Sequence, residues 1–183
     1  LFGSAAEAAD SEADPLAKRT VTIAGTIGLP GTRLQGLPGM PVTDEHGVYR
    51  AEVPSGGSGT VEPRKEGYEF VPASRTYERT VSDLANQDYK AKVLVFTISG
   101  NAGLAGVTME GLPGEPITDA DGFYSATVLY GWAGTVTPTK DDRKFNPAQK
   151  QYAAVSRDLT DEDYTPQTVI ISDRIVFGTE PIA

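Results

Sequence analysis

The chain has no cysteine, one histidine and one tryptophan among its 183 residues. Without cysteine there are no disulfides, no thiolate metal sites and no thiol nucleophiles; this suits a cytosolic protein and, equally, a bacterial exported one stabilised by other means. The lone His46 rules out imidazole clusters. Long apolar runs are also missing: Val93 to Phe96 and Val169 to Ile171 are strand-sized, against the roughly 20 residues a membrane-spanning helix needs. No membrane insertion is expected. Positive charge is sparse and scattered: 16 Lys and Arg stand against 25 Asp and Glu, for a net charge of −9 and a pI near 4.6. Nucleic acid and anionic membrane surfaces are therefore disfavoured as partners, since both need clustered basic side chains. The chain opens on Leu1-Phe2 with neither a basic n-region nor a long apolar h-region, so any export signal is expected to have been removed.

What the chain has in quantity is turn formers, 20 Gly and 13 Pro, which implies many short strands and an all-β fold. Sliding the sequence against itself by 75 places aligns residues 20–91 with 95–166 without a gap, with 31 identities in 72 pairs. The shared positions are turn and core residues: Gly25/Gly100, Gly36-Leu37-Pro38-Gly39/Gly111-Leu112-Pro113-Gly114, Thr43-Asp44/Thr118-Asp119, Gly47/Gly122, Tyr49/Tyr124, Gly59-Thr60-Val61/Gly134-Thr135-Val136, Phe70/Phe145, Tyr77/Tyr152 and Asp88-Tyr89/Asp163-Tyr164. Such a set is a fold's skeleton rather than a catalytic constellation. Leu-Pro-Gly predicts a type II turn, with Pro fixing φ at the first central position and Gly accepting positive φ at the second. Asp44-Glu45-His46-Gly47 predicts a reversal. After it, Val48, Arg50 and Glu52 alternate with Tyr49, Ala51 and Val53, the period-2 pattern of a half-buried strand; Tyr124, Ala126 and Val128 take the inward positions in the second copy. About seven strands per copy fits a sandwich.

The order Gly-x-x-Gly-Leu-x-Gly, Thr-Asp-x-x-Gly-x-Tyr, Gly-x-x-Gly-Thr-Val-x-Pro, Phe-x-Pro-Ala and Asp-Tyr resembles bacterial carboxypeptidase-regulatory-like repeats, relatives of the Cna B-type and transthyretin-like sandwiches. The resemblance covers residues 20–166. It implies two tandem antiparallel β-sandwich modules of prealbumin or Ig-like type on a cell-surface or secreted protein, and it brings no peptidase residues. Cna B-type relatives sometimes carry a Lys to Asn crosslink, which draws attention to Lys92 and Asn86; Asn86 is replaced by Asp161 in the second copy and Lys92 corresponds to Ala17, so the pattern is not repeated.

The expected organisation is an acidic, Ala-rich leader at 1–19, modules at 20–92 and 93–166, and a C-terminal strand at 167–183. Thr168-Val169-Ile170-Ile171 continues the period into what would be the first strand of a third module, followed by Ser172-Asp173-Arg174-Ile175-Val176-Phe177. A lone strand carrying Val169, Ile171, Ile175, Val176 and Phe177 cannot bury itself. Three readings stand: it folds back on the second module, it belongs to a longer chain, or it inserts into a neighbouring subunit by β-strand addition. Repeated head to tail, the last generates a fibre.

Elsewhere the candidate chemistry is thin. His46 lies beside Asp44 and Glu45, but its counterpart in the second copy is Asp121, as expected of a polar turn position. Carboxylates cluster at Asp119 and Asp121, at Asp141-Asp142, and at Asp158 with Asp161-Glu162-Asp163. They read as solvated loops, with calcium the alternative ligand, although no EF-hand spacing is present. Tyr130 and Trp132 flank Gly131 where the first copy has Ser55, Gly56 and Gly57, which argues against a core role and leaves a module or subunit contact, local packing or carbohydrate stacking. The overall expectation is a non-enzymatic extracellular structural protein without cofactors, a homo-polymer assembled by strand exchange; the alternative is a glycan- or protein-binding accessory module.

Overall fold

A computed structural model describes residues 19–168 of the chain. The leader up to residue 18 and the segment bearing Val169, Ile171, Ile175, Val176 and Phe177 lie outside the described residues. The described residues form no helix and so none long and apolar enough to cross a membrane. The chain divides into two compact units between Leu94 and Val95.

In the first unit, β1 (Thr20–Thr26) pairs antiparallel with β3 (Val48–Pro54), with Ile23 opposite Ala51. On its other side β1 bonds the segment 84–89, which runs parallel to it: Leu84 N–H donates to the Thr22 carbonyl at 2.8 Å and Gln87 N–H to the Ala24 carbonyl at 3.0 Å. That segment leads into β7 (Lys90–Val93), which pairs with β5 (Tyr68–Val71). One layer thus runs β3, β1, 84–89 with β7, then β5. The facing layer is β2 (Arg33–Gln35), β4 (Gly57–Arg64) and β6 (Arg75–Thr80), in the order β2-β4-β6. A bulge between Gly57 and Gly59 shifts the β4–β6 register.

The second unit repeats this arrangement with every register moved by 75 residues. Strand β8 (Val95–Asn101) pairs with β10 (Phe123–Leu129), Ile98 opposite Ala126; β9 (Thr108–Glu110), β11 (Trp132–Thr139) and β13 (Lys150–Val155) form the facing layer. Strand β12 (Phe145–Asn146) pairs with β14 (Thr165–Pro166). Seven strands are thus assigned in each unit among the described residues, and each unit is a β-sandwich whose named strands pair antiparallel, with one parallel contact in its first layer, Ile23 with Leu84 and Ile98 with Leu159.

The predicted alternation is observed on both β3 and β10. Tyr49, Ala51 and Val53 are buried while Val48, Arg50, Glu52 and Pro54 are exposed, and β10 shows the same pattern. Each unit has its own core: Ile23, Leu34, Val53 and Val61 in one, Ile98, Val107, Met109 and Val136 in the other, all fully enclosed. Burying each such side chain contributes roughly 1.5–3 kcal/mol. The cores tolerate near-isosteric exchange. Thr32 in the first unit sends its hydroxyl to the Leu29 carbonyl at 3.1 Å; Val107 fills the matching place without it.

The turns follow the residues. Met40 N–H donates to the Leu37 carbonyl at 3.0 Å with Gly39 at φ 70, and Glu115 to Leu112 at 2.9 Å with Gly114 at φ 74, as a type II turn requires.

Candidate functional site

The polar residues shared by the two copies bind main chain. Asp44 Oδ1 accepts the N–H groups of His46 and Val48 at 3.0 and 2.8 Å, and Asp119 those of Asp121 and Phe123 at 3.0 and 2.9 Å. Asp83 and Asp88 accept the Thr22 and Thr26 N–H groups at 2.7 and 2.8 Å; Asp158 and Asp163 accept those of Thr97 and Asn101 at 2.8 and 2.7 Å. These carboxylates satisfy backbone donors that the adjoining strand cannot. That is why these three positions stay Asp in both copies. No group of three or more His, Cys, Asp or Glu able to hold a metal gathers among the described residues. His46 is a surface turn residue, 3.6 Å from Glu45.

Each unit also contains a cluster of three tyrosines. In the first, Tyr49 donates to the Gln87 carbonyl at 2.5 Å, Tyr77 to Gln87 Oε1 at 3.1 Å and Tyr89 to the Val61 carbonyl at 3.2 Å. Arg75 lies over the Tyr89 ring and donates to the Asp88 carbonyl at 2.8 Å. In the second, Tyr124 donates to the Glu162 carbonyl at 2.6 Å and Tyr164 to the Val136 carbonyl at 3.2 Å. Glu162 Oε2 takes both the Tyr152 hydroxyl and the Lys150 ammonium at 2.9 Å. Lys150 lies 5.3 Å from the Tyr164 ring centroid. Burial pushes all six phenols above their ordinary range, Tyr164 to about 12, with the Glu162 charge adding to it. A phenol held neutral donates a hydrogen bond. Both clusters tie the two layers of a sandwich together.

Of the residues singled out from sequence, Tyr130 and Trp132 lie on either side of Gly131, which has φ 76. Their rings point to different partners. Tyr130 meets Phe96 with centroids 6.3 Å apart, while Trp132 meets Tyr152 at 5.8 Å and an interplanar angle of 45°. Both are half-buried, and Trp132 packs against the second core. Trp132 thus packs from the margin of the core rather than within it, and Gly134 leaves room beside it, since a Cβ there would lie 2.6 Å from the indole. Lys92 is ion-paired with Glu69 at 2.7 Å. Asn86 and Asp161 both have positive φ, 58 and 62, so the exchange between them preserves a left-handed backbone position that Asn and Asp tolerate.

No protein-family model matches the sequence, nor does any curated protein. Among solved structures, the TIE protein of Bacillus anthracis matches 81% of this chain at a TM-score of 0.56 and 15% identity. The likeness is one of fold. This chain spans 34% of that protein's length. The minor pilin of Streptococcus agalactiae is also similar, at a TM-score of 0.33 and 11% identity over 86% of this chain and 100% of its own. So is a streptococcal ancillary pilin, at 0.32 and 11% over 85% of this chain and 64% of its own.

Proposed function

We propose that the chain is a non-enzymatic structural protein of the bacterial cell surface, built from two tandem modules of the carboxypeptidase-regulatory-like and Cna B-type kind. In this reading subunits join into a filament by β-strand exchange, with residues 168–177 as donor. The observation that carries it is where the shared polar groups go. The three repeated carboxylate pairs and the hydroxyls of both tyrosine clusters are engaged in holding strands and layers together. The chemistry the two copies have in common is that of a scaffold.

Val169, Ile171, Ile175, Val176 and Phe177 supply the apolar content such a donor needs. The test is electron microscopy of the intact chain and of one lacking residues 167–183. Filaments are expected from the first and not from the second; filaments from both, or from neither, would sink the strand-exchange reading.

A further inference from the structure

One edge of the first layer differs in character between the two units. On β3 the outward side chains are Val48, Arg50, Glu52 and Pro54; on β10 they are Phe123, Ser125, Thr127 and Leu129. Charged side chains and proline are what blunt a sheet edge against pairing with another chain. The first unit has them and the second has none.

The main-chain groups open on β10 follow from its partner. Ser99 N–H donates to the Leu159 carbonyl at 2.9 Å, while the Thr97 and Asn101 carbonyls accept the N–H groups of Leu159 and Tyr164 at 2.8 and 2.9 Å. These three residues of β8 thus direct their main chain away from β10. Residues opposite each other in an antiparallel ladder either bond each other or both turn outward. Hence Phe123, Ser125 and Thr127, opposite Asn101, Ser99 and Thr97, turn their N–H and C=O to the far side, as does Leu129 by the same alternation. Phe123 is engaged there by Asp119. Among the described residues β10 pairs with β8 alone. Ser125, Thr127 and Leu129 therefore line an open edge. An apolar shoulder borders it, with Phe123, Leu129 and the neighbouring Val95 about half exposed at 46%, 56% and 51%. In the first unit Pro54, the counterpart of Leu129, has no N–H to offer.

We infer that the open edge of β10 is the acceptor for residues 169–177 of a second copy of the chain. This rests on the strand-exchange reading and gives it a location. The donor reads Val-Ile-Ile-Ser-Asp-Arg-Ile-Val-Phe, nine residues rich in β-branched side chains, enough to pair along a seven-residue strand. Its period places it in register with the start of β8, the strand type β10 already accepts on its other side. Reach favours a second copy over the chain's own segment. Thr168 follows β14, in the column beyond β8, so the slot outside β10 is three inter-strand spacings away, about 14 Å. Crossing that distance takes about four extended residues, nearly half the donor.

Ser125→Arg with Thr127→Glu transplants the β3 face onto β10 in the full chain, and the first unit shows that the fold accepts these side chains. Assembly by sedimentation is expected to disappear, with the thermal unfolding midpoint of the dilute protein within a few degrees of wild type. With no native cysteine, disulfide trapping is unambiguous. Subunits carrying Thr127→Cys, mixed with single-cysteine variants at Val169, Ile170, Ile171 or Ser172, are expected to crosslink at alternate donor positions.

A wild-type chain that stays monomeric at every concentration overturns the strand-exchange reading. Assembly that survives Ser125→Arg/Thr127→Glu but not removal of 169–183 overturns this acceptor alone. Assembly lost in the double variant but kept after that removal overturns the donor, and points to two β10 edges pairing with each other.

Discussion

Gly36 and Gly111 hold φ 100 and 89, and a Cβ at either would overlap the carbonyl of Thr60 or Thr135 on the neighbouring strand. Gly39 has φ 70 but nothing within 4 Å of a Cβ. The pair separates two reasons for glycine: Gly39→Ala is expected to cost about 1 kcal/mol for the left-handed backbone alone, and Gly36→Ala about 2–3 kcal/mol because the collision is added. Equal losses in chemical denaturation would contradict this. The tyrosines make a second residue-scale prediction. Their folded pKa values are raised by burial, so the unfolded chain releases protons first as pH rises. Stability is therefore complete below the ordinary phenol pKa of about 10 and falls above it, toward the folded value of about 12 for Tyr164. Thermal midpoints measured from pH 8 to 11.5 should be level and then drop, with Tyr164→Phe shallower than wild type; a midpoint flat through pH 11 would refute the linkage.

At the scale of elements, the two tyrosine clusters do one job with two chemistries. The first uses Arg75 and Gln87; the second uses Lys150 and Glu162, an ion pair whose side chains are only 25% and 22% exposed. Glu162→Ala is expected to cost about 2 kcal/mol, since it leaves the Lys150 ammonium and the Tyr152 hydroxyl without their acceptor. Lys150→Arg with Glu162→Gln recreates the first cluster and should recover more stability than the two single changes predict, a positive coupling in a double-mutant cycle. Additive losses would mean that the exchange is accidental. The same elements show what a sequence can reveal. Strands β3 and β10 are legible because Tyr49, Ala51 and Val53 alternate with polar neighbours, and the turns because Leu-Pro-Gly and Asp-x-x-Gly carry their own backbone requirements. Strands β5 and β12 are not: Gly67-Tyr68-Glu69 in one copy becomes Asp142-Arg143-Lys144 in the other, and only Phe70/Phe145 persists. The tyrosine acceptors are also hidden, because Tyr49 and Tyr124 reach main chain 38 residues away. The open edge of β10 is a matter of which strand lies beside which, and no local pattern encodes that.

At the scale of the whole molecule, size sets the problem. Each unit is a sandwich of about 75 residues, near the limit at which one core suffices. A strand contributed by another subunit binds the folded unit and not the unfolded chain, so it stabilises by mass action. At a concentration 100 times the dissociation constant the gain is about 2.7 kcal/mol, roughly 10–20 °C in the midpoint of a domain this small. The effect is selective. The unit carrying β10 should unfold at higher temperature as protein concentration rises, while the unit edged by Arg50, Glu52 and Pro54 should keep its midpoint. Scanning calorimetry over a hundredfold concentration range reads both transitions, assigned by the loss of the Trp132 fluorescence signal, the only indole in the chain. Two transitions moving together, or neither moving, would be incompatible with a donor strand received by the second unit.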